Sequence, residues 1–210
     1  MLRSALPRLA ALAATLVHGW TGQCVLGEQV GVVMPPVLAT FPVRVAVAGG
    51  DEEEDWLARS FDTARALFAP FGVHFARTAR NATLPDRFAH VETRQDRDAL
   101  AAHVQAHVIN VFVVDSLRDV DDPTAMRRGV HWHGPGGTHY VILVATASPQ
   151  VLAHELGHFF GNAHTKVVDN LMSYERSGGW ITFDADQGKR IVQKARGYLE
   201  SGELSPVPAR

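Results

Sequence analysis

The stretch VLAHELGHFFGNAHTKVVDNLMSY, residues 151–174, contains three histidines at short and regular intervals. His154 and His158 are four residues apart, so on a helix they stand one turn apart on the same face. Two imidazoles in that arrangement can bind one metal ion, and Glu155 flanks the ion without being a ligand. The spacing therefore predicts a metal-binding helix.

A third ligand is predicted beyond the end of this helix. Gly161 can adopt the positive φ that ends a helix and turns the chain sharply, which lets His164 approach the ion from outside. Three neutral imidazoles leave the fourth tetrahedral position open to water, as in a catalytic site. Imidazole ligands favour zinc over calcium or magnesium. Histidines that merely satisfy hydrogen bonds in a core would not need this register.

The segment from His154 to His164 resembles the HExxHxxGxxH motif of the metzincin clan of zinc endopeptidases. That clan also has a methionine-bearing turn beneath the metal, and Met172, eight residues after His164, fits it. Met172-Ser173-Tyr174 is similar to the Met-x-Tyr of astacins and serralysins, in which the tyrosine reaches the metal or supports the transition state. The resemblance implies these roles for Met172 and Tyr174; the alternatives are a core methionine and a packed aromatic of the turn. The subfamily stays unassigned.

Apolar patterns along the rest of the chain predict alternating strands and helices. Strands are predicted at 43–50, 73–77, 108–116 and 139–147, and helices after the acidic residues 51–55, at 96–107, from 149 and at 184–199. No internal repeat or interdomain linker interrupts this order. One α/β domain with a small C-terminal lobe that ends in a helix is the simplest interpretation.

The metzincin resemblance implies a single catalytic domain with a twisted mixed sheet, a backing helix and an active-site helix. It places the domain at residues 42–205, after an extended lead-in at 28–41. It also implies an antiparallel edge strand before the last buried strand, and Arg128–Gly134 falls at that position. The backbone of such a strand could bind an extended peptide by strand addition.

A zinc ion in this site predicts hydrolysis of peptide bonds. Zinc lowers the pKa of a bound water and polarises the scissile carbonyl, while Glu155 takes the proton of the water and passes it to the leaving amine. Zinc, with Tyr174, would stabilise the oxyanion. The chain is therefore predicted to be a zinc endopeptidase that acts on a protein or peptide. Two alternatives stay open: a catalytically silent zinc module that binds peptides, and a scaffold with accidental histidines.

Two further groups of side chains could bind metal. His131, His133 and His139 could hold a second ion, as some matrixins do, or could form an exposed loop near the cleft. The acidic residues 51–55 could bind calcium, or could be the solvated first turn of a helix, where carboxylates suit the helix dipole. The sequence leaves both pairs of alternatives open.

The overall charge argues against nucleic acid as a partner. The formal net charge is −2 and the sequence pI is about 6.6, so the chain lacks the basic footprint of a nucleic-acid-binding protein. It also lacks a basic run or a basic amphipathic helix that would bind a membrane surface. The oligomeric state has no signature in the sequence.

Residues 1–27 have the pattern of a signal peptide, with a basic start, an apolar run at 9–17 and small residues at candidate cleavage points. The apolar run is shorter than the roughly 20 residues that span a bilayer. A secreted or extracytoplasmic protein is predicted; the alternative is a buried N-terminal helix. Cys24 is the only cysteine, so no intramolecular disulfide can form. Cys24 could carry a lipid anchor, although the preceding Thr-Gly-Gln departs from the usual small, apolar box.

Overall fold

The computed structural model describes residues 35–48, 54–78 and 81–208. The predicted signal peptide, Cys24, residues 28–34 of the predicted lead-in and residues 51–53 of the acidic cluster lie outside the described residues. Within the described ranges, no helix is both long and apolar enough to cross a membrane.

A mixed sheet forms the centre of the domain. In chain order the strands are β1 Ala39–Val47, β2 Val73–Arg77, β3 Ala82–Thr83, β4 His90–Val91, β5 Ile109–Val114, β6 Ser116–Leu117, β7 Gly129–His133 and β8 His139–Val144. The main sheet has the order β2-β1-β5-β8-β7, and β3 pairs with the end of β1. All of its pairs are parallel except β7 with β8. Strands β4 and β6 form a separate parallel pair.

In the described residues, four α-helices accompany the sheet: α1 Glu54–Phe68, α2 Arg94–Ala99, α3 Gln150–Phe159 and α4 Ala185–Ser201. The predicted helices at α1, α3 and α4 and the predicted strands at β2, β5 and β8 are confirmed. Strand β1 begins at Ala39, four residues before its predicted start, because residues 39–43 pair with β2. The division between lead-in and domain at residue 42 stays a prediction.

The predicted helix at 96–107 is wrong in its second half. Helix α2 ends at Ala99 and continues as a 3-10 helix only to His103. The Asn110 side chain then accepts a hydrogen bond from the Gln105 N–H (2.9 Å) and donates one to the Gln105 carbonyl (2.8 Å). The Asn110 amide thus pairs with the backbone N–H and C=O groups of Gln105 that a longer helix would have paired. The chain therefore leaves the helix here and enters β5.

Strand β5 is buried on both faces, as its nearly continuous apolar sequence predicts. On one face, Val111 and Val113 belong to the core formed with α1, α3 and α4. On the other, Phe112 and Val114 pack with Leu84 and other apolar side chains of residues 84–117. The sheet is therefore covered on both sides, and one of its covering helices is α3, which carries the histidine motif.

Helix α3 is anchored at both ends. Near its start, the Trp56 indole N–H of α1 donates to the Ala147 carbonyl (2.6 Å). At its end, the Tyr198 hydroxyl of α4 donates to the Phe159 carbonyl (2.7 Å), and the Phe160 ring packs against the rings of Phe68 and other aromatic residues of the core. The helix is thus held rigidly between α1 and α4.

Candidate metal centre

The structure brings together the three histidines that the motif predicts as ligands. His154 and His158 project from the same face of α3, and His164 approaches from the segment after the helix. The His164 Nε2 atom lies 3.2 Å from His154 Nε2 and 3.0 Å from His158 Nε2. Gly161 has φ +84°, so the chain turns at the glycine predicted to end the helix.

Backbone carbonyls orient the two helical histidines. The Nδ1–H of His154 donates to the Leu171 carbonyl and that of His158 donates to the Asn162 carbonyl, both at 2.7 Å. With the proton on Nδ1, the lone pair of each Nε2 faces the common centre. Outer hydrogen bonds of this kind fix the tautomer and the ring orientation of metal-binding histidines.

This donor set fits zinc. Tetrahedral zinc with Zn–N distances of about 2.0–2.1 Å places its ligand nitrogens roughly 3.3–3.4 Å apart, close to the two distances observed. Histidine must be neutral to bind a metal. Burial lowers the pKa of His158 to about 4 and also lowers the pKa values of His154 and His164, so all three imidazoles are neutral at pH 7.

The methionine-bearing turn lies directly beneath the helix. Met172 is fully buried, and a Cβ on Gly157 of α3 would lie 2.5 Å from its sulfur atom, so the absence of a side chain at 157 makes room for it. The Asn170 side chain accepts a hydrogen bond from the Met172 N–H (2.8 Å) and donates to Gln187 of α4 (2.9 Å). The same turn supplies the Leu171 carbonyl that orients the first histidine.

Tyr174 lies at the rim of the site. Its hydroxyl oxygen is 3.0 Å from His164 Nε2, and the residue is 69% exposed. The hydroxyl therefore lies beside the point where the three imidazole nitrogens converge. The Tyr174 ring centre lies 4.9 Å from that of His164 and 5.9 Å from that of His154.

Glu155 is a buried acid beside the three histidines. It is 6% exposed, and burial raises its pKa to about 8, although the backbone N–H of His131 and the charge of Arg127 oppose that rise. A Cβ on Gly129 would lie 3.0 Å from Glu155 Oε1, so β7 passes directly over the carboxyl group. The glycine at 129 lets the strand approach this closely.

The buried carboxyl group of Glu155 makes the free energy of unfolding depend on pH. In the metal-free protein, Glu155 has a folded pKa near 8 against an ordinary value of 4.5. Its contribution to stability is therefore complete below pH 4.5 and is lost as the pH rises through about 8. Because glutamine cannot ionise, Glu155→Gln should raise the free energy of unfolding at pH 8.5 and leave it nearly unchanged at pH 4.5. Urea denaturation in the presence of a chelator measures both values; an equal difference at the two pH values would contradict this account.

His158 and His164 open onto a cleft of about 640 Å³ that also contains β7. Strand β7 pairs with β8 on one side, from Gly129 opposite Leu143 to His133 opposite His139, and it is the last strand of the sheet. The prediction that 128–134 forms an antiparallel edge strand is confirmed. Its outer backbone edge faces the cleft without a strand partner in the part of the chain that the structure describes.

An arginine cluster at one end of the cleft was not predicted. The guanidinium carbons of Arg97 and Arg94 lie 4.8 and 5.3 Å from the Trp132 ring centre, and Arg127 pairs with Asp119 at 2.5 Å. Arg97 is only 3% exposed, and its Nη2 atom donates to a backbone carbonyl. These residues come from distant parts of the chain and share no spacing, so only their contacts reveal the cluster.

Solved structures of other proteins resemble this fold. Metalloproteinase-II from Bacteroides fragilis matches with a TM-score of 0.51 and 16% identity, over 78% of this chain and 57% of that chain. Archaemetzincin from Methanopyrus kandleri matches with a TM-score of 0.54 and 13% identity, over 77% of this chain and 98% of that chain. The chain has the metzincin fold. It spans little more than half of the metalloproteinase-II chain. At these identities, the likeness concerns the fold alone.

The predicted fold class is confirmed by this likeness and by the strand pairings. No protein-family model matches the sequence, and no curated protein matches it.

Proposed function

We propose that this chain is a zinc-dependent endopeptidase that hydrolyses peptide bonds in protein or peptide substrates. The observation that carries the proposal is the convergence of three imidazole Nε2 atoms on one point in a cleft that also contains a buried glutamate. His154, His158 and His164 would hold a single ion. Bound zinc would supply Lewis acidity, which lowers the pKa of water and polarises the scissile carbonyl.

Glu155 is suited to carry the proton. It follows the first ligand on α3, lines the same cleft as His158 and His164, and is shielded from bulk water. A carboxylate in this position accepts the proton of the attacking water and then donates it to the amine that leaves. General acid–base catalysis is most efficient when the pKa of the group lies near the working pH, and burial moves the pKa of Glu155 in that direction.

The edge strand β7 would hold the substrate. Its unpaired backbone edge can accept an extended peptide by strand addition, in which main-chain hydrogen bonds supply affinity. Because β7 passes over Glu155, a peptide bound in this way would lie across the carboxyl group and the three histidines. Extended binding of this kind suits an enzyme that cuts within a chain.

Tyr174 would assist at the oxyanion. Its hydroxyl lies beside the convergence point and can donate a hydrogen bond to an oxygen that becomes negative there. Tyr174→Phe removes this donor alone and should lower kcat roughly 10- to 100-fold. This decrease is smaller than the decrease on losing a preorganised oxyanion donor, because the Tyr174 side chain is exposed. Zinc content and KM should change little. Steady-state kinetics measure kcat and KM of both proteins. An unchanged kcat would show that the Tyr174 hydroxyl takes no part in the reaction.

We also propose that the enzyme acts outside the cytoplasm. This part of the proposal rests on the signal-peptide pattern at residues 1–27, which lie outside the described residues. Expression of the full chain with a cytoplasmic marker, followed by fractionation and N-terminal sequencing of the exported form, tests it. A protein that keeps residues 1–27 and stays with the marker would contradict it.

A panel of internally quenched peptides tests the central proposal. The purified protein should cleave some of them, should lose activity when a chelator removes its metal, and should regain activity when zinc is restored. Cleavage that is insensitive to chelation would contradict the role of zinc. A protein that binds zinc and peptides but cleaves none of a broad library would instead be the silent binding module.

A further inference from the structure

We propose that His131, His133 and His139 form a second metal site, for a divalent transition ion such as zinc, that shares no ligand with the first. One nitrogen from each of these rings lies within 4.8 Å of the others. This cluster and the first site, formed by His154, His158 and His164, each have three imidazoles. Both contribute side chains to the surface around the cleft.

The strand register explains why these rings meet. His131 and His133 are two residues apart on β7, so their side chains leave the same face of the sheet. His139 is the first residue of β8 and lies directly opposite His133 in the antiparallel pair. The ring centres of His131 and His133 are 4.6 Å apart, and the rings of His133 and His139 are stacked at 5.9 Å. The hairpin thus presents three imidazoles on one surface.

Glu203 orients the His139 ring. The Nε2–H of His139 donates to Glu203 Oε1 at 2.6 Å, which leaves the Nδ1 lone pair of His139 facing His131 Nε2 at 2.9 Å. A carboxylate that fixes the tautomer of a ligating histidine is a recurrent outer-shell feature of metal sites. The His139 ring also stacks on Phe159 at 4.1 Å, so it cannot rotate freely.

The chemistry of the donors selects the class of ion. Burial lowers the pKa of His131 to about 3 and also lowers that of His139, so both rings are neutral and able to bind metal. Three imidazole nitrogens suit zinc, cobalt or nickel rather than calcium or magnesium, which prefer oxygen. Without an ion, the same two atoms form an ordinary hydrogen bond, in which the Nε2–H of His131 donates to His139 Nδ1 at 2.9 Å.

An ion at this site would stabilise the edge strand near the tip of its hairpin. It would join β7 to β8, and through Glu203 it would tie both strands to the segment after α4. The backbone N–H of His131 also bonds to the Glu155 carboxyl. The second ion would therefore have a structural role, holding in place the strand that covers the buried glutamate.

Metal analysis of purified variants tests this proposal. His133→Ala is the most informative change because the side chain is exposed and its removal leaves no cavity. After dialysis against dilute zinc and then against metal-free buffer, the wild type should contain two ions per chain by mass spectrometry. His133→Ala and His164→Ala should each contain one and the double variant none, while the control His90→Ala, an exposed histidine outside both clusters, should contain two. Equal zinc contents in the wild type and His133→Ala would overturn the proposal.

A second measurement does not depend on removing a ligand. Glu203→Gln should weaken the second site by roughly 10- to 100-fold, the usual effect of losing an outer-shell partner, and leave the first site unchanged. Cobalt titration followed by visible absorption measures both affinities, and Glu200→Gln, an exposed glutamate on α4, is the matched control. Identical titrations of the two variants would contradict the role of Glu203 and count against the site. Because the readout is bound metal, its result is independent of peptidase activity.

Discussion

Replacing Glu155 with glutamine is expected to abolish peptide hydrolysis and to leave zinc bound at the histidines. Glutamine has the same shape and can still accept the hydrogen bond from the His131 N–H, but it cannot take a proton from water. General acid–base catalysis contributes about 10²- to 10⁴-fold, and Glu155 is proposed to act in both proton transfers, so kcat/KM should fall by at least this amount. Cleavage of a quenched peptide, with metal analysis of the same sample, measures both effects.

The matched control is Glu200→Gln, which makes the same change on the exposed surface of α4 and should keep full activity. Circular dichroism should show that both variants are folded. Glu155→Gln with the cleavage rate of the wild type would exclude the proposed base. Loss of zinc in this variant would instead mean that the carboxyl takes part in holding the ion.

Replacing His164 with alanine is expected to remove zinc from the first site. The two remaining histidines of α3 cannot hold the ion tightly, because structural and catalytic zinc sites have at least three protein ligands. Loss of an outer-shell partner already weakens binding about 10- to 100-fold, so loss of this ligand should weaken it by more than 100-fold. Competition against a chromogenic chelator gives the affinity, and activity at submicromolar free zinc should disappear.

Because His164 is exposed, its replacement should not disturb the packing of the core. The metal-free variant and the metal-free wild type should unfold at similar temperatures, because no core contact is lost. With zinc present, only the wild type should gain stability at the first site, by linkage of binding to folding. His90→Ala serves as the control and should behave as the wild type. Unchanged zinc affinity in His164→Ala would show that these three histidines do not share an ion.

Features encoded over a few residues could be predicted from the sequence. The four-residue spacing of His154 and His158 places both rings on one face of any helix, and only a residue that tolerates positive φ can end that helix sharply at Gly161. The nearly continuous apolar sequence of β5 and the helical apolar spacing of α1 and α4 are likewise local signals. These signals needed no knowledge of distant contacts.

Contacts between distant segments could not be predicted. The carbonyls of Leu171 and Asn162 that orient the helical histidines are backbone groups, and every residue has one. The Asn110 amide that ends the 3-10 helix early acts from beyond the helix itself, so apolar spacing extended that helix too far. Glu203, which bonds to His139 from 64 residues away, lies in a segment without any motif.

By itself the sequence determined which residues can bind a metal and in which local conformation, because helical and strand periodicity is a property of neighbouring residues. Only the tertiary structure decided that a glutamate is buried under an edge strand, that arginines gather around Trp132, and that three histidines of a hairpin form a second cluster. Those relations depend on how the sheet orders its strands and on which side chains lose water when it packs, and neither is a property of any short stretch of chain.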